Sequence, residues 1–125
     1  MNGRGMIAAG ALLAGLGVAL GAFGAHALRD RLGQTESGWW QTALSYQMWH
    51  ALALLAIGLA GERRLALPAW LLGLGAAIFS GTLYLMALTG LRWLGAVTPI
   101  GGLLMIAGWV SLAAIALRKP APGPD

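Results

Sequence analysis

Four long apolar segments alternate with short polar stretches along the 125-residue chain. The apolar segments cover approximately residues 6–28, 40–60, 68–89 and 99–117. Each is about 19 to 23 residues long, and an α-helix needs about 20 residues to cross the hydrocarbon core of a bilayer. None alternates apolar and polar residues with the period of two that is typical of a membrane β-strand. The pattern predicts an all-α, polytopic membrane protein, a four-transmembrane-helix bundle that forms a single membrane domain over residues 1–125.

The polar stretches contain residues that commonly begin or end helices. Gly61 and Gly90 follow the second and third apolar segments, where a glycine in the left-handed conformation often ends a helix. Pro68 fits the first turn of the third helix, because the missing N–H of proline has no helical partner there. The proline-rich tail at 118–125 cannot continue a helix, and we expect it to be disordered.

The start of the fourth helix has two interpretations. Thr98 followed by Pro99 is typical of an N-cap residue and the first helical residue, which makes residues 91–97 an interfacial loop. Alternatively, one helix runs over residues 93–117 and is kinked at Pro99. We favour the capped helix.

Composition supports a membrane protein and excludes several other classes. Hydrophobic residues make up 58% of the chain and charged residues 10%, whereas soluble domains average about 25% charged residues. The net charge of +4 comes from few, scattered residues, and no dense basic patch for nucleic acid is present. Cysteine is absent, which excludes disulfides and thiol nucleophiles. We therefore expect the lipid bilayer as the surroundings and no nucleic-acid partner.

Positive charges near the ends of the segments predict the orientation. Four spans place both termini and the middle loop on one side of the membrane. That side carries Arg4, Arg63, Arg64, Arg118 and Lys119, and the opposite side carries Arg29, Arg31 and Arg92. Cytoplasmic loops are enriched in Lys and Arg, so the pattern favours cytoplasmic termini. Arg far outnumbers Lys, which is typical of a GC-rich bacterial genome. We expect a multi-pass protein of the bacterial inner membrane.

Small residues form a seam along the first apolar segment. They recur at intervals of four and three residues and so share one helix face: Gly10, Ala14, Gly17, Gly21 and Gly24. Small residues let helix backbones approach closely, which drives helix association in lipid. A similar packing role is expected of Gly81, Gly101 and Gly102. The seam contacts either another helix of the same bundle, which we favour, or a second copy in a homo-oligomer.

Polar side chains inside the apolar segments form the candidate site. Thr42, Tyr46 and His50 recur every four residues and therefore lie on one side of the second helix. With the predicted orientation, the polar residues concentrate near the middle and in the outer half of the membrane. The candidate ligand-binding residues are His26, Thr42, Tyr46, Gln47, His50, Ser80, Tyr84 and Thr98.

These residues do not complete a familiar catalytic or cofactor site. Nucleophile–His–acid catalysis lacks its acid, since no Asp or Glu lies inside an apolar segment. A haem needs two ligands at matched depth, but His26 lies near a helix end and His50 deeper. A metal site would need an uncommon third ligand from Tyr or Gln. We assign no catalytic residue, no metal ligand and no cofactor.

Interhelical hydrogen bonding is the favoured role of the polar residues. A pocket for a lipid headgroup or another ligand, or for its transport, is the alternative. A haem, quinone or other enzyme site that uses both histidines is the second alternative. A charged imidazolium is expensive in hydrocarbon. We therefore expect His50 to be neutral and bonded to a hydroxyl of Tyr84, Ser80 or Thr98.

Four ordered motifs resemble the family catalogued as domain of unknown function 423. They are GAFGAHAL at 21–28, TALSYQMWHALA at 42–53, FSGTLYL at 79–85 and TPIGG at 98–102. The resemblance extends over roughly residues 5–117 and implies a small protein with several membrane spans and no settled molecular activity. It supports the fold and the location and supplies no mechanism. The sequence as a whole favours a non-enzymatic structural or accessory factor of the envelope.

Overall fold

Four long α-helices make up most of the computed structural model, which describes residues 1–120, 122 and 123. They are α1 (Gly3–His26), α2 (Gln34–Ala60), α3 (Ala66–Thr89) and α4 (Thr98–Leu117). Short 3-10 helices, Arg63–Leu65 and Arg92–Ala96, precede α3 and α4. Within the described chain, all four long helices are long and apolar enough to cross a membrane. The predicted fold class, an all-α bundle of four transmembrane helices, is confirmed.

The helix ends confirm the glycine caps and move one boundary. Gly61 (φ 69°) and Gly90 (φ 72°) adopt the left-handed conformation directly after α2 and α3. Pro68 is the third residue of α3 and lies in its first turn, as predicted. In contrast, α2 begins at Gln34, six residues before the predicted start of the apolar span. Glu36 lies in this added first turn, where a carboxylate favours the positive end of the helix dipole.

The start of α4 differs from the prediction in its cap. Val97 is the N-cap, and Thr98 is already helical, so the predicted cap at Thr98 is wrong by one residue. The Thr98 hydroxyl instead donates a hydrogen bond to the carbonyl oxygen of Leu94 at 3.1 Å. The expected loop over residues 91–97 contains the 3-10 helix Arg92–Ala96. Of the tail that was predicted to be disordered, residues 118–120 follow α4 without helix, and residues 121, 124 and 125 lie outside the described part.

The helices pack in the order of the chain. α1 packs on α2, α2 on α3, and α3 on α4, and within the described residues α1 packs closely on α2 alone. A core at one end of the bundle joins the beginnings of α1 and α3 to the end of α2, with Met6, Ile57 and Leu65 buried in it. Leu28, Trp40 and Ala87 are buried together at the other end. Because α1 and α3 flank α2 without close packing on each other, a groove runs between them.

The glycine seam of α1 faces α2. A Cβ atom added at Gly10 would lie 2.6 Å from the carbonyl oxygen of Ala51, so only glycine permits this backbone approach. Gly17 faces the side chains of Gln47 and Met48, and Gly24 faces Trp40. The seam therefore packs on α2 within the chain. The intramolecular interpretation is the one that the structure shows.

The other small residues differ in how closely they pack. A Cβ added at Gly101 would lie 2.6 Å from the carbonyl oxygen of Gly75, which makes this pair the close contact between α3 and α4. Gly21 and Gly102 make ordinary contacts, and Ala14 is half-buried. The packing role expected of Gly81 is not found, because a Cβ there would meet nothing within 4 Å. Its face opens into a cavity between α1 and α3.

Replacing Gly10 with alanine should weaken the protein, whereas the same change at Gly15 should not. The Gly10→Ala methyl group would force α1 away from α2, at a cost of about 1–3 kcal/mol, the range for overpacked sites. A Cβ at Gly15 meets nothing within 4 Å, so Gly15→Ala should leave stability unchanged or raise it by up to about 1 kcal/mol. Thermal unfolding in detergent, followed by circular dichroism, measures both. Equal effects of the two changes would show that α1 does not pack through this face.

Candidate functional site

The candidate residues are divided between separate contacts around α2 and α3. Gln47, Ser80 and Tyr84 connect α2 with its neighbours α1 and α3. Tyr46 and His50 lie on the side of α2 that meets Phe79 and Trp109. The sequence predicts a single polar cluster, but the structure divides these residues between separate clusters. We call two of them the glutamine cluster (Gln47, Ser80 and Tyr84) and the histidine cluster (Tyr46, His50 and Trp109).

Gln47 joins three helices in the middle of the bundle. Its side chain is 4% exposed, and its Nε2 atom donates to the carbonyl oxygen of Leu13 in α1 at 2.8 Å. The Tyr84 hydroxyl of α3 donates to Gln47 Oε1 at 2.6 Å. Ser80 adds a second bond between α3 and α2, donating to the carbonyl oxygen of Ala43 at 2.7 Å. Since hydrocarbon supplies no competing water, these bonds hold α1 and α3 on α2.

His50 uses both of its ring nitrogens inside the chain. Its Nδ1 atom lies 2.7 Å from the carbonyl oxygen of Tyr46, and the indole Nε1 of Trp109 donates to its Nε2 atom at 3.1 Å. An indole N–H can only donate and a carbonyl can only accept. Nε2 must therefore carry the lone pair and Nδ1 the proton. The arrangement fits the neutral imidazole with hydrogen on Nδ1, and it links α2 to α4.

The prediction that His50 bonds to a hydroxyl group is wrong. Tyr84 and Ser80 bond to α2 through other groups. The Thr98 hydroxyl lies 2.7 Å from that of Thr82 and forms a separate link between α3 and α4. The ring of His50 instead points toward α4, with its edge toward Trp109. An indole N–H replaces the expected hydroxyl.

Two candidate residues lie outside these contacts. His26 and Thr42 are exposed, His26 at the last residue of α1 and Thr42 on α2. Within the described chain, no hydrogen bond or ring contact joins His26 to His50, which is buried with 4% exposure. The structure does not bring the two histidines together as a ligand pair.

Each cluster borders a cavity that opens toward the lipid. A cavity of about 220 Å³ lies between α1 and α3 beside the glutamine cluster, and Leu16, Leu20 and Ala77 make it largely apolar. A second cavity, of about 350 Å³, lies beside the histidine cluster between α2 and α4. Its wall is aromatic, and the rings of Tyr46 and Phe79 are 4.5 Å apart. These cavities can hold apolar groups, since most polar atoms at their walls already bond within the chain.

Two tryptophans belong among the site residues but were not predicted there. Trp109 of α4 donates its indole N–H to His50. Trp40 of α2 is 2% exposed, and its Nε1 donates to the carbonyl oxygen of Leu20 at 3.1 Å. A usable signal existed for Trp109. An indole N–H in the middle of an apolar segment needs an acceptor on another residue, because lipid provides none.

Replacing Tyr84 with phenylalanine should destabilise the bundle, and the same change at Tyr46 should not. Tyr84→Phe leaves Gln47 Oε1 without its donor, at a cost of about 0.6–2 kcal/mol, the range for interhelical hydrogen bonds in lipid. Tyr46 is the matched control, because its hydroxyl makes no hydrogen bond to the described residues. Thermal unfolding of both variants in the same detergent makes the comparison. If the Tyr84→Phe protein is as stable as the Tyr46→Phe protein, the hydrogen bond between Tyr84 and Gln47 does not stabilise the bundle.

Comparisons with known proteins identify the family of the chain. A family model described as "Protein of unknown function (DUF423)" matches residues 20–102. The UPF0382 inner membrane protein YgdD of Escherichia coli K12 is 42% identical over 127 aligned positions, covering 98% of this chain and 97% of that protein. A UPF0382 membrane protein of Staphylococcus haemolyticus is 49% identical over 106 positions, covering 82% of this chain and 87% of the relative. No solved structure matches. The chain is a membrane protein, and it belongs to the DUF423 family, whose function is unknown.

Proposed function

We propose that the protein is a non-enzymatic structural or accessory factor of the bacterial envelope. The observation that carries the proposal is the bonding of His50, the ionisable group buried at the centre of the bundle. Its two partners are a backbone carbonyl and an indole N–H. Neither partner exchanges protons near neutral pH, so the hydrogen bonds that His50 makes to the described residues do not form a proton relay. Its geometry serves to hold α2 against α4.

The other polar groups support the same role. Gln47, Ser80 and the Thr82–Thr98 pair each connect two helices. Within the described residues, every buried side-chain nitrogen or oxygen has a hydrogen-bond partner. Polar groups in lipid that are bonded in this way fix the positions of helices. The bundle is thus a rigid membrane element suited to support a larger assembly.

A second candidate function is the binding of a small apolar ligand beside the glutamine cluster. The observation that favours it is the cavity of about 220 Å³ that Gln47, Ser80 and Tyr84 border. A Cβ at Gly81 would point into open space there. Gly81→Leu should fill this space without disturbing a helix contact. If it abolishes function while the protein remains stable, ligand binding replaces the structural role.

Complementation of a deletion strain tests the structural proposal. His50→Gln keeps a donor and an acceptor, so we expect it to accumulate normally and to restore the envelope phenotype of the deletion. His50→Leu leaves the Trp109 N–H without an acceptor and should lose about 1–2 kcal/mol of stability. The extent to which each variant restores the envelope phenotype should therefore follow the amount of folded protein in the membrane. A His50→Gln protein of normal abundance and stability that fails to restore the phenotype would establish a chemical role for the imidazole.

We also propose that both termini face the cytoplasm. The side of the bundle that holds them carries five Lys and Arg residues against three on the other side, in the sense of the positive-inside rule. A phosphatase or fluorescent-protein reporter fused after Arg118 should report the cytoplasm, and one inserted after Asp30 the periplasm. A periplasmic signal from the Arg118 fusion would reverse the orientation.

A further inference from the structure

The end of the bundle that holds the start of α1 has an excess of positive charge. Its Lys and Arg residues are Arg4, Arg63, Arg64, Arg118 and Lys119. In the described part of the chain, Glu62 is the carboxylate at this end, and it pairs with Arg64. The remaining positive side chains have no acidic partner among the described residues. Basic pockets at the ends of membrane helices are a common means of binding anionic lipid headgroups.

Arg63 lies on the wall of a cavity at this end. The cavity has a volume of about 430 Å³ and lies between the first turn of α1 and the α2–α3 connection, with Asn2, Gly61 and Arg63 at its wall. We call it the rim cavity. Glu62 also borders it, but its carboxylate is engaged by Arg64. Arg63 therefore places a positive side chain at the wall of the rim cavity that no carboxylate of the described residues pairs with.

An apolar cavity adjoins the rim cavity and extends into the membrane. It has a volume of about 290 Å³ and lies in the groove between α1 and α3, between Leu13 and Trp70. Met1 borders both cavities, so the two are adjacent. Gly73 also borders this cavity, and a Cβ there would make only an ordinary 3.5 Å contact with Leu54. We call it the chain cavity.

The depth of the two cavities matches one leaflet of a bilayer. From Gly3 to Leu13, α1 rises about 15 Å at 1.5 Å per residue. The hydrocarbon core is about 30 Å thick, so half of it is also about 15 Å. At Leu13 the groove meets Gln47, whose amide bonds to the Leu13 carbonyl. This bond lies at the level where an acyl chain from the adjacent leaflet ends.

We propose that the rim cavity and the chain cavity together bind one anionic phospholipid. The phosphate group lies against Arg63, and one acyl chain lies between α1 and α3 as far as Leu13. Charge selects the headgroup, and the apolar groove selects a lipid over a free phosphate ion. This site ends at Leu13, where it meets the glutamine cluster, and it is independent of the structural role proposed above.

Native mass spectrometry of the full-length protein in detergent tests the site. Phosphatidylglycerol and phosphatidylcholine with identical acyl chains are the two probes, and inorganic phosphate is the competitor. The wild-type protein should retain phosphatidylglycerol at least several-fold better than phosphatidylcholine. Arg63→Gln should lose about five-fold in phosphatidylglycerol affinity, the effect of one basic residue near an anionic surface. Arg118→Gln is the matched control, because this residue belongs to the same end and is exposed.

A second pair of variants tests the acyl-chain part. Gly73→Leu fills the chain cavity and should weaken both lipids, while Gly15→Leu, at a glycine of α1 that borders neither the rim cavity nor the chain cavity, should weaken neither. Leu74→Phe, on the same wall of the chain cavity and half exposed, provides the test if Gly73→Leu does not fold. Inorganic phosphate at millimolar concentration should not displace the lipid. The proposal fails if the two lipids bind equally, if Arg63→Gln behaves as Arg118→Gln, if neither cavity-filling variant weakens binding, or if phosphate alone displaces the lipid.

Discussion

The absence of water in hydrocarbon is the constraint on which this bundle depends. A polar group that lies inside the membrane must find its hydrogen-bond partner within the protein, because lipid chains offer neither donors nor acceptors. Gln47 meets this requirement with one bond to α1 and one to α3. His50 meets it with the backbone of its own helix and with α4. Each hydrogen-bonded group also fixes the distance between two helices. The bonds that satisfy the buried polar groups therefore also determine how the helices are arranged.

Close backbone contact provides the second part of the stability. α1 approaches α2 at Gly10, and α3 approaches α4 at Gly75 and Gly101, so closely that a Cβ would overlap backbone atoms. Between these two glycine-packed pairs, α2 and α3 are held together by the bonds of Ser80 and Tyr84. The bundle therefore combines two tight pairs and a polar seam. Dispersion forces act at the glycines, and hydrogen bonds from Ser80 and Tyr84 act between α2 and α3.

The sequence predicts the positions of the helices better than the side-chain contacts between them. The four helices, the Gly61 and Gly90 caps and the seam of α1 follow from local rules of length, backbone freedom and spacing. The partner of His50 does not, because it depends on how α2 is rotated toward α4. The same limit applies to Gly81, which shares a spacing with packing glycines but faces a cavity. Spacing indicates which residues share a face, and only the packed bundle determines what that face meets.

The order of packing has a consequence for assembly. Each helix packs on the helix that precedes it in the chain, so the closest contacts join segments that are near neighbours in sequence. Contacts of this kind close short loops and form quickly, and chains synthesised from the N-terminus fold their early parts first. α1 and α2 can therefore join as a hairpin before α3 leaves the ribosome, and α3 then meets a completed surface. Each helix of the growing protein therefore meets its packing neighbour in the order in which the helices enter the membrane.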